Sequence, residues 1–359
     1  MNWEDLRGHR DQIEMLRRSI ARGRQAHAYL FAGSPGIGKS RFARIFAQSL
    51  FCENHAETEL LACDKCSPCR QMNAGSHPDF FEIKCPEGKK EIPVDVFLGS
   101  PDRRGQEGLI HDLSLRPMAG NRRIAVIDDA NLMNEEGANA MLKTLEEPPP
   151  NSMLILIAEN LDAMLSTIRS RCQLVRFSNL ATSDVSDLLI ETEIASTPEE
   201  ATAAAAMSEG SLQIAAQLLN PVLRNLRLKL YTALATADLR PIEVAAAMMA
   251  GVDEIGGDTS EQRRNSGWLI RFAQEFYRQV ALQLSGHRIP NESGTELVSR
   301  FAGLLTSRGS HGIELAMELF DRCVLAENHI DCNVAPAKTM GSLFDDLSRV
   351  TRTGLKPVR

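Results

Sequence analysis

Gly33-Ser34-Pro35-Gly36-Ile37-Gly38-Lys39-Ser40 is the stretch that most limits what this chain can fold into. It meets every defined position of a phosphate-binding loop. In such a loop glycines let backbone N–H groups converge on phosphate oxygens, where side chains would block the approach. Upstream, His27-Ala28-Tyr29-Leu30-Phe31-Ala32 reads as a short buried strand; downstream, Phe42, Ile45, Phe46 and Leu50 fall on one helix face. Strand, glycine turn and helix in that order aim the positive helix end at an anion. Lys39 then reaches the β- and γ-phosphates of ATP, and Ser40 offers its hydroxyl to Mg2+. The alternatives are an accidental glycine turn, or a loop that keeps its shape and binds ATP or ADP without hydrolysing it.

The alternation continues. Ile124-Ala125-Val126-Ile127 is a buried central strand closed by Asp128-Asp129. An acid at that strand end, beside a phosphate loop, holds Mg2+ through water, and Asp128 is the candidate. Asp129 stands where a hydrolytic ATPase carries a glutamate that orients water. Aspartate is one methylene shorter, and catalysis is sensitive to misplacement of about 1 Å. Taken without the loop, the pair reads as two solvated acids. Asn134 is the expected N-cap of a helix that Pro148-Pro149-Pro150 stops. Residues 79–84, 153–158 and 175–177 are further strands. The expected class is α/β, a parallel sheet covered by helices on both faces. After residue 179 only helices follow, with 251–264 an exposed connection and 351–359 a frayed basic tail.

Four of the eight cysteines, Cys52, Cys63, Cys66 and Cys69, fall within eighteen residues. Two-residue gaps let neighbouring thiolates turn onto one ion, and four sulfurs make a closed, structural Zn2+ site. An iron–sulfur cluster that recruits Cys85, or simple reduced thiols, are the alternatives. The 359 residues suffice for two or three domains, with 43% hydrophobic and 24% charged residues as in ordinary globular proteins. No run of eighteen apolar residues is present, and residues 1–5 carry neither a basic nor an apolar targeting segment, so no membrane partner and a cytoplasmic location are expected. The net charge of −7 argues against tight independent DNA binding, so contact with DNA is expected through partner subunits or a local patch.

In combination these pieces resemble the bacterial clamp-loader AAA+ family. The order is phosphate loop, four-cysteine insertion, Asp-Asp strand, Leu142-Lys143-Thr144-Leu145-Glu146-Glu147-Pro148-Pro149, then Ser170-Arg171-Cys172. Within the family the chain is similar to the delta-prime branch of DNA polymerase III subunits: His77-Pro78-Asp79 follows the cysteines, and the acidic segment of motor subunits is absent. The resemblance is dense over residues 3–180. It implies an AAA+ domain over 1–179 with its zinc insertion at 52–69, a helical lid over 180–240, and a helical collar over 241–350 that packs in a heteropentamer. It also implies that the complex loads a sliding clamp onto primed DNA, and that Arg171 is an arginine finger reaching a neighbour's γ-phosphate. Apart from that resemblance, Arg171 reads as a surface salt-bridge partner. Gln213 occupies the lid position where motor subunits carry a phosphate-sensing arginine. With Asp129, it makes the chain's own site poorly equipped for turnover. An ATP-hydrolysing motor subunit and a zinc-dependent DNA-binding module are the competing readings. Phe272, Phe276 and Tyr277 are expected in a core, with a partner surface as the alternative.

Overall fold

The computed structural model describes residues 3–86, 89, 91–159, 161, 162, 164–256, 259–289, 294–306, 309–332 and 334–354. The chain divides into two compact units, Met1–Ala216 and Gln217–Arg359.

The first unit is built on five parallel strands: β1 (Ala28–Ala32), β2 (Phe80–Ile83), β3 (Arg123–Ile127), β4 (Ser152–Ala158) and β5 (Gln173–Arg176), in the order β2-β3-β4-β1-β5. Parallel neighbours need long crossovers, which helices supply. The helices between the strands are α2 (Lys39–Phe51), α3 (Ser67–Asn73), α4 (Asp95–Leu98), α5 (Leu109–Ser114), α6 (Glu135–Glu146) and α7 (Ser166–Arg169); α1 (Arg10–Ala21) precedes β1, and α8 (Thr182–Glu191), α9 (Pro198–Met207) and α10 (Leu212–Leu218) follow β5. β1 and β3 are buried throughout and β4 from Met153 onward, as their unbroken apolar runs require. β5 is an edge strand with only Val175 buried; its pattern is correspondingly faint, and it starts two residues before the expected position.

Both sheet faces are packed. Ala125, Ile127, Leu154 and Leu156 meet Met141 and Leu145 of α6 on one side. Elsewhere in the unit Phe42 of α2 lies edge-on to Trp3, Phe31 and Phe177, with ring centroids 4.8–5.5 Å apart. Such pairs contribute about 1 kcal/mol each beyond their burial. Asn134 caps α6 as expected, its Oδ1 accepting from Gly137 N at 2.9 Å.

The turn at residues 118–120, just before β3, is fixed by one carboxylate. Asp79, fully buried, accepts N–H groups of Met118, Ala119 and Gly120 at 2.7–3.1 Å. The buried Arg123 guanidinium stands 3.4 Å away and donates onward to the Asp112 and Arg116 carbonyls. The turn before β3 is thereby wrapped around a charge.

The second unit is helical: α11 (Pro221–Leu234), α12 (Pro241–Ile255), α13 (Thr259–Leu284), α14 (Thr295–Thr306), α15 (Ser310–Asp331) and α16 (Pro336–Gly354). Phe272, Phe276 and Tyr277 are buried, Phe276 and Tyr277 packing with Phe301, so they serve the core and offer no partner surface. The expected connection over 251–264 is mostly helix. α12 runs to Ile255 and α13 starts at Thr259, because Gly251 and Val252 pack inward rather than break the helix. The expected tail begins later than 351: α16 runs to Gly354 with Val350 and Thr351 buried, and 355–359 lie outside the described residues. The expected lid span of 180–240 straddles the division between the two units. Among the described residues no helix is long and apolar enough to cross a membrane.

Candidate nucleotide and metal sites

The phosphate loop runs from the end of β1 into α2. Gly36 has φ 69°, and a Cβ there would come within 2.4 Å of the Gln213 Cβ and 2.6 Å of Ser211 Oγ. Gly38 caps α2 at φ 95°, a conformation that a side chain would strain. The loop is held from outside by three groups. Leu212 N donates to the Gly36 carbonyl at 3.0 Å, and Ser34 Oγ donates to Asn179 Oδ1 at 2.7 Å. The His9 ring is 2.7 Å from the Ile37 carbonyl through Nε2. Burial holds the His9 pKa below its ordinary value, so the ring is neutral and Nε2 carries the donating proton.

Inside the loop, Lys39 Nζ donates to the Gly33 and Ser34 carbonyls at 2.7 and 2.6 Å. Burial pulls the ammonium pKa down, and the nearby carboxylates of Glu159, Asp128 and Asp129 oppose it. Ser40 Oγ donates to Asp128 Oδ2 at 2.6 Å, so the two expected Mg2+-holding groups stand side by side. Asp129 follows at φ 54°; burial and the Asp128 charge push its carboxyl above the usual range. All the residues expected around a triphosphate, Gly33, Ser34, Pro35, Gly36, Ile37, Gly38, Lys39, Ser40, Asp128 and Asp129, therefore belong to one cluster.

Glu159 belongs to it too, and the sequence reading missed it. β4 pairs with β1 so that Ala158 lies opposite Ala32, and Gly33 N donates to the Ala158 carbonyl at 3.3 Å. The residue after Ala158 must emerge beside the phosphate loop. Glu159 keeps an exposed face; desolvation by the atoms packed around it raises its pKa, and the Lys39 charge lowers it. An acid directly after an unbroken apolar strand was the available signal.

The four cysteines form a second cluster, with all four Sγ atoms within 4.8 Å of one another. Tetrahedral zinc with bonds of about 2.3 Å needs sulfurs about 3.8 Å apart, so the set fits. Cys63 Sγ accepts from Cys66 N at 3.3 Å and from Asn54 Nδ2 at 3.2 Å. Backbone N–H groups of Lys65 and Cys66 pull its thiol down to about 6, while burial pushes Cys69 up. These four cysteines can hold a structural zinc. Cys85 is not among them; its thiol points to the Lys89 carbonyl at 3.3 Å, so the iron–sulfur alternative loses its extra ligand. The module is tied to α2. Cys52 is the residue after that helix, and buried Gln48 donates through Nε2 to Asp64, the Cys69 carbonyl and Asn73 at 2.9–3.3 Å.

Arg171 stands between α7 and β5, its side chain 35% exposed. Nη2 lies 2.6 Å from Glu146 Oε1, and Nη1 donates to the Thr167 carbonyl at 2.9 Å and Ser170 Oγ at 3.2 Å. Within this chain it is the surface ion-pair partner that its residue type alone suggests.

Residues 8–181, the segment that carries both clusters and Arg171, match the family described as "DNA polymerase III, delta subunit". The DNA polymerase III subunit delta' of Bacillus subtilis is 31% identical over 196 residues, 54% of this chain and 55% of that protein. Its counterpart in Pseudomonas aeruginosa is 36% identical over 151 residues, 42% of this chain and 43% of that one. The match over residues 8–181 covers just under half of this chain, and over it the chain is similar to the delta-prime subunits. The chain spans about half the length of the curated delta-prime relatives it matches. The tau subunit of Escherichia coli is also similar, 30% identical over 218 residues, 60% of this chain and 32% of that protein. A gamma-subunit-related protein from Thermotoga maritima superposes over 95% of this chain and all of that one, at 16% identity with a TM-score of 0.39, too low to add to the argument.

Proposed function

We propose that this chain is a delta-prime-like stator of a clamp loader. It completes a heteropentamer that loads a sliding clamp onto primed DNA in the cytoplasm. It lends Arg171 to the ATP site of the adjoining subunit and hydrolyses little or no ATP itself. The observation that carries the reading is the Arg171 guanidinium: partly exposed at the start of β5, restrained by three contacts, and outside its own phosphate-loop cluster. A cation placed so is available to charge developing on a phosphate held by another chain. The chain's own site supports the other half. Asp129 replaces the longer glutamate, and Gln213, packed against Gly36, supplies a neutral amide where a motor needs an arginine. On the same reading residues 180–240 are the lid and 241–350 the collar.

Arg171→Ala in the reconstituted complex is expected to abolish turnover at the one adjoining site, a drop of about 10³-fold there, and to slow clamp loading. Unchanged ATPase and loading would end the proposal.

The Ser40–Asp128 hydrogen bond favours a second reading, a motor that binds Mg2+ and ATP and hydrolyses it. Lys39→Ala decides between the two. The stator reading expects the ATPase of the complex to stay within about two-fold of wild type; the motor reading expects this subunit's share to vanish.

A further inference from the structure

Glu146 is the last residue of α6, and helix C-termini disfavour acids because the unpaired carbonyls already carry partial negative charge. An acid there is accounted for by what it faces. Its Oε1 meets Arg171 Nη2 at 2.6 Å, across the gap between the end of α6 and the start of β5. On its other nitrogen Arg171 satisfies the Thr167 carbonyl of α7, and Ser170 Oγ adds a third contact. Among the described residues three of the five guanidinium donors are thus engaged, and two are left for an incoming anion. Both members of the pair remain reachable by solvent, the Arg171 side chain 35% and the Glu146 side chain 52% exposed.

We infer that Glu146 is the positioning residue of Arg171. It holds the guanidinium in one orientation, with its free donors outward, so that a triphosphate bound by the next subunit meets a finger already in place. The inference rests on the stator reading given above. Its physical basis is preorganisation: a long side chain otherwise samples many rotamers, and a guanidinium misplaced by about 1 Å loses much of its effect on the transition state. Glu146 touches no phosphate and acts only through Arg171. Its effect therefore belongs in kcat at the adjoining site, and it should vanish when Arg171 is gone.

The experiment uses the reconstituted complex in which every ATP site but the adjoining one carries an alanine at its phosphate-loop lysine. kcat and KM for ATP are measured with Glu146→Ala, Glu146→Asp, Arg171→Ala and the Glu146→Ala/Arg171→Ala pair. The expected result is a kcat about tenfold lower for Glu146→Ala with KM within about two-fold. Glu146→Asp recovers a good part of that loss. The pair is no slower than Arg171→Ala alone. If Glu146→Ala runs at the wild-type rate while Arg171→Ala is slow, the positioning role is overturned and the finger stands. If the pair is markedly slower than Arg171→Ala, Glu146 acts through something other than Arg171 and the inference is again overturned. If Arg171→Ala itself runs at the wild-type rate, the stator reading falls and takes the inference with it.

Discussion

Asp79→Ala should remove about 3–5 kcal/mol from the stability of the purified chain, because it strands a buried guanidinium and three backbone N–H groups at once. The carboxylate is fully buried and accepts from Met118, Ala119 and Gly120 while facing Arg123, which is itself buried. Breaking one side of such a pair leaves the other charged and dry. Arg123 cannot swing out to water, since its remaining donors are committed to the Asp112 and Arg116 carbonyls. Asp79→Asn should cost less: the amide oxygen still accepts, but the charge facing Arg123 is lost. Denaturant unfolding of the three proteins measures the ranking. A loss below about 1 kcal/mol for Asp79→Ala would mean that water or another acceptor replaces the carboxylate, and the account of this turn would be wrong. The effect should reach the nucleotide cluster. The turn leads directly into β3, and β3 delivers Asp128 to Ser40.

What the sequence made legible follows from which forces have a sequence period. Buried strands declare themselves as apolar runs, so β1, β3 and β4 were readable almost to the residue. The phosphate loop and its acids were readable because glycine, lysine and serine at fixed spacing answer to phosphate geometry. The four cysteines were readable from their gaps. Glu159 was not, because its place in the cluster depends on β4 lying beside β1, a pairing of strands more than a hundred residues apart that no local pattern encodes. His9 was missed for the same reason; it reaches the Ile37 carbonyl from the segment before α1. Asp79 was read as part of a family likeness, with no sign of the N–H groups that converge on it. In the helical unit the error ran the other way. Glycine and charge at 251–264 suggested a loop where α12 and α13 continue, since packing overrides weak local propensity.

Removing the metal should damage the first unit more than the small size of the cysteine module suggests. Zinc binding stabilises its own fold because four thiolates do not stay together without the ion, and in small zinc domains that binding energy is the folding energy. The four cysteines that can hold the ion include Cys52, the residue after α2, and the module's inner side is pinned to the same helix by Gln48. Loss of the ion therefore leaves buried Cys69 beside three other thiols and Gln48 with partners no longer held in place. Cys69→Ser, or a strong chelator on the wild type, is expected to cost at least about 4 kcal/mol. Hydrogen exchange should rise sharply over residues 60–75 and in the last turn of α2, and less at Lys39 and Ser40 at the helix's far end. Cys332→Ser, at an exposed cysteine outside the cluster, should change nothing. Elemental analysis should return one zinc per chain and no iron. A purified chain that elemental analysis finds without zinc, and whose thermal stability neither a chelator nor added Zn2+ changes, would leave four reduced thiols as the correct description of this cluster.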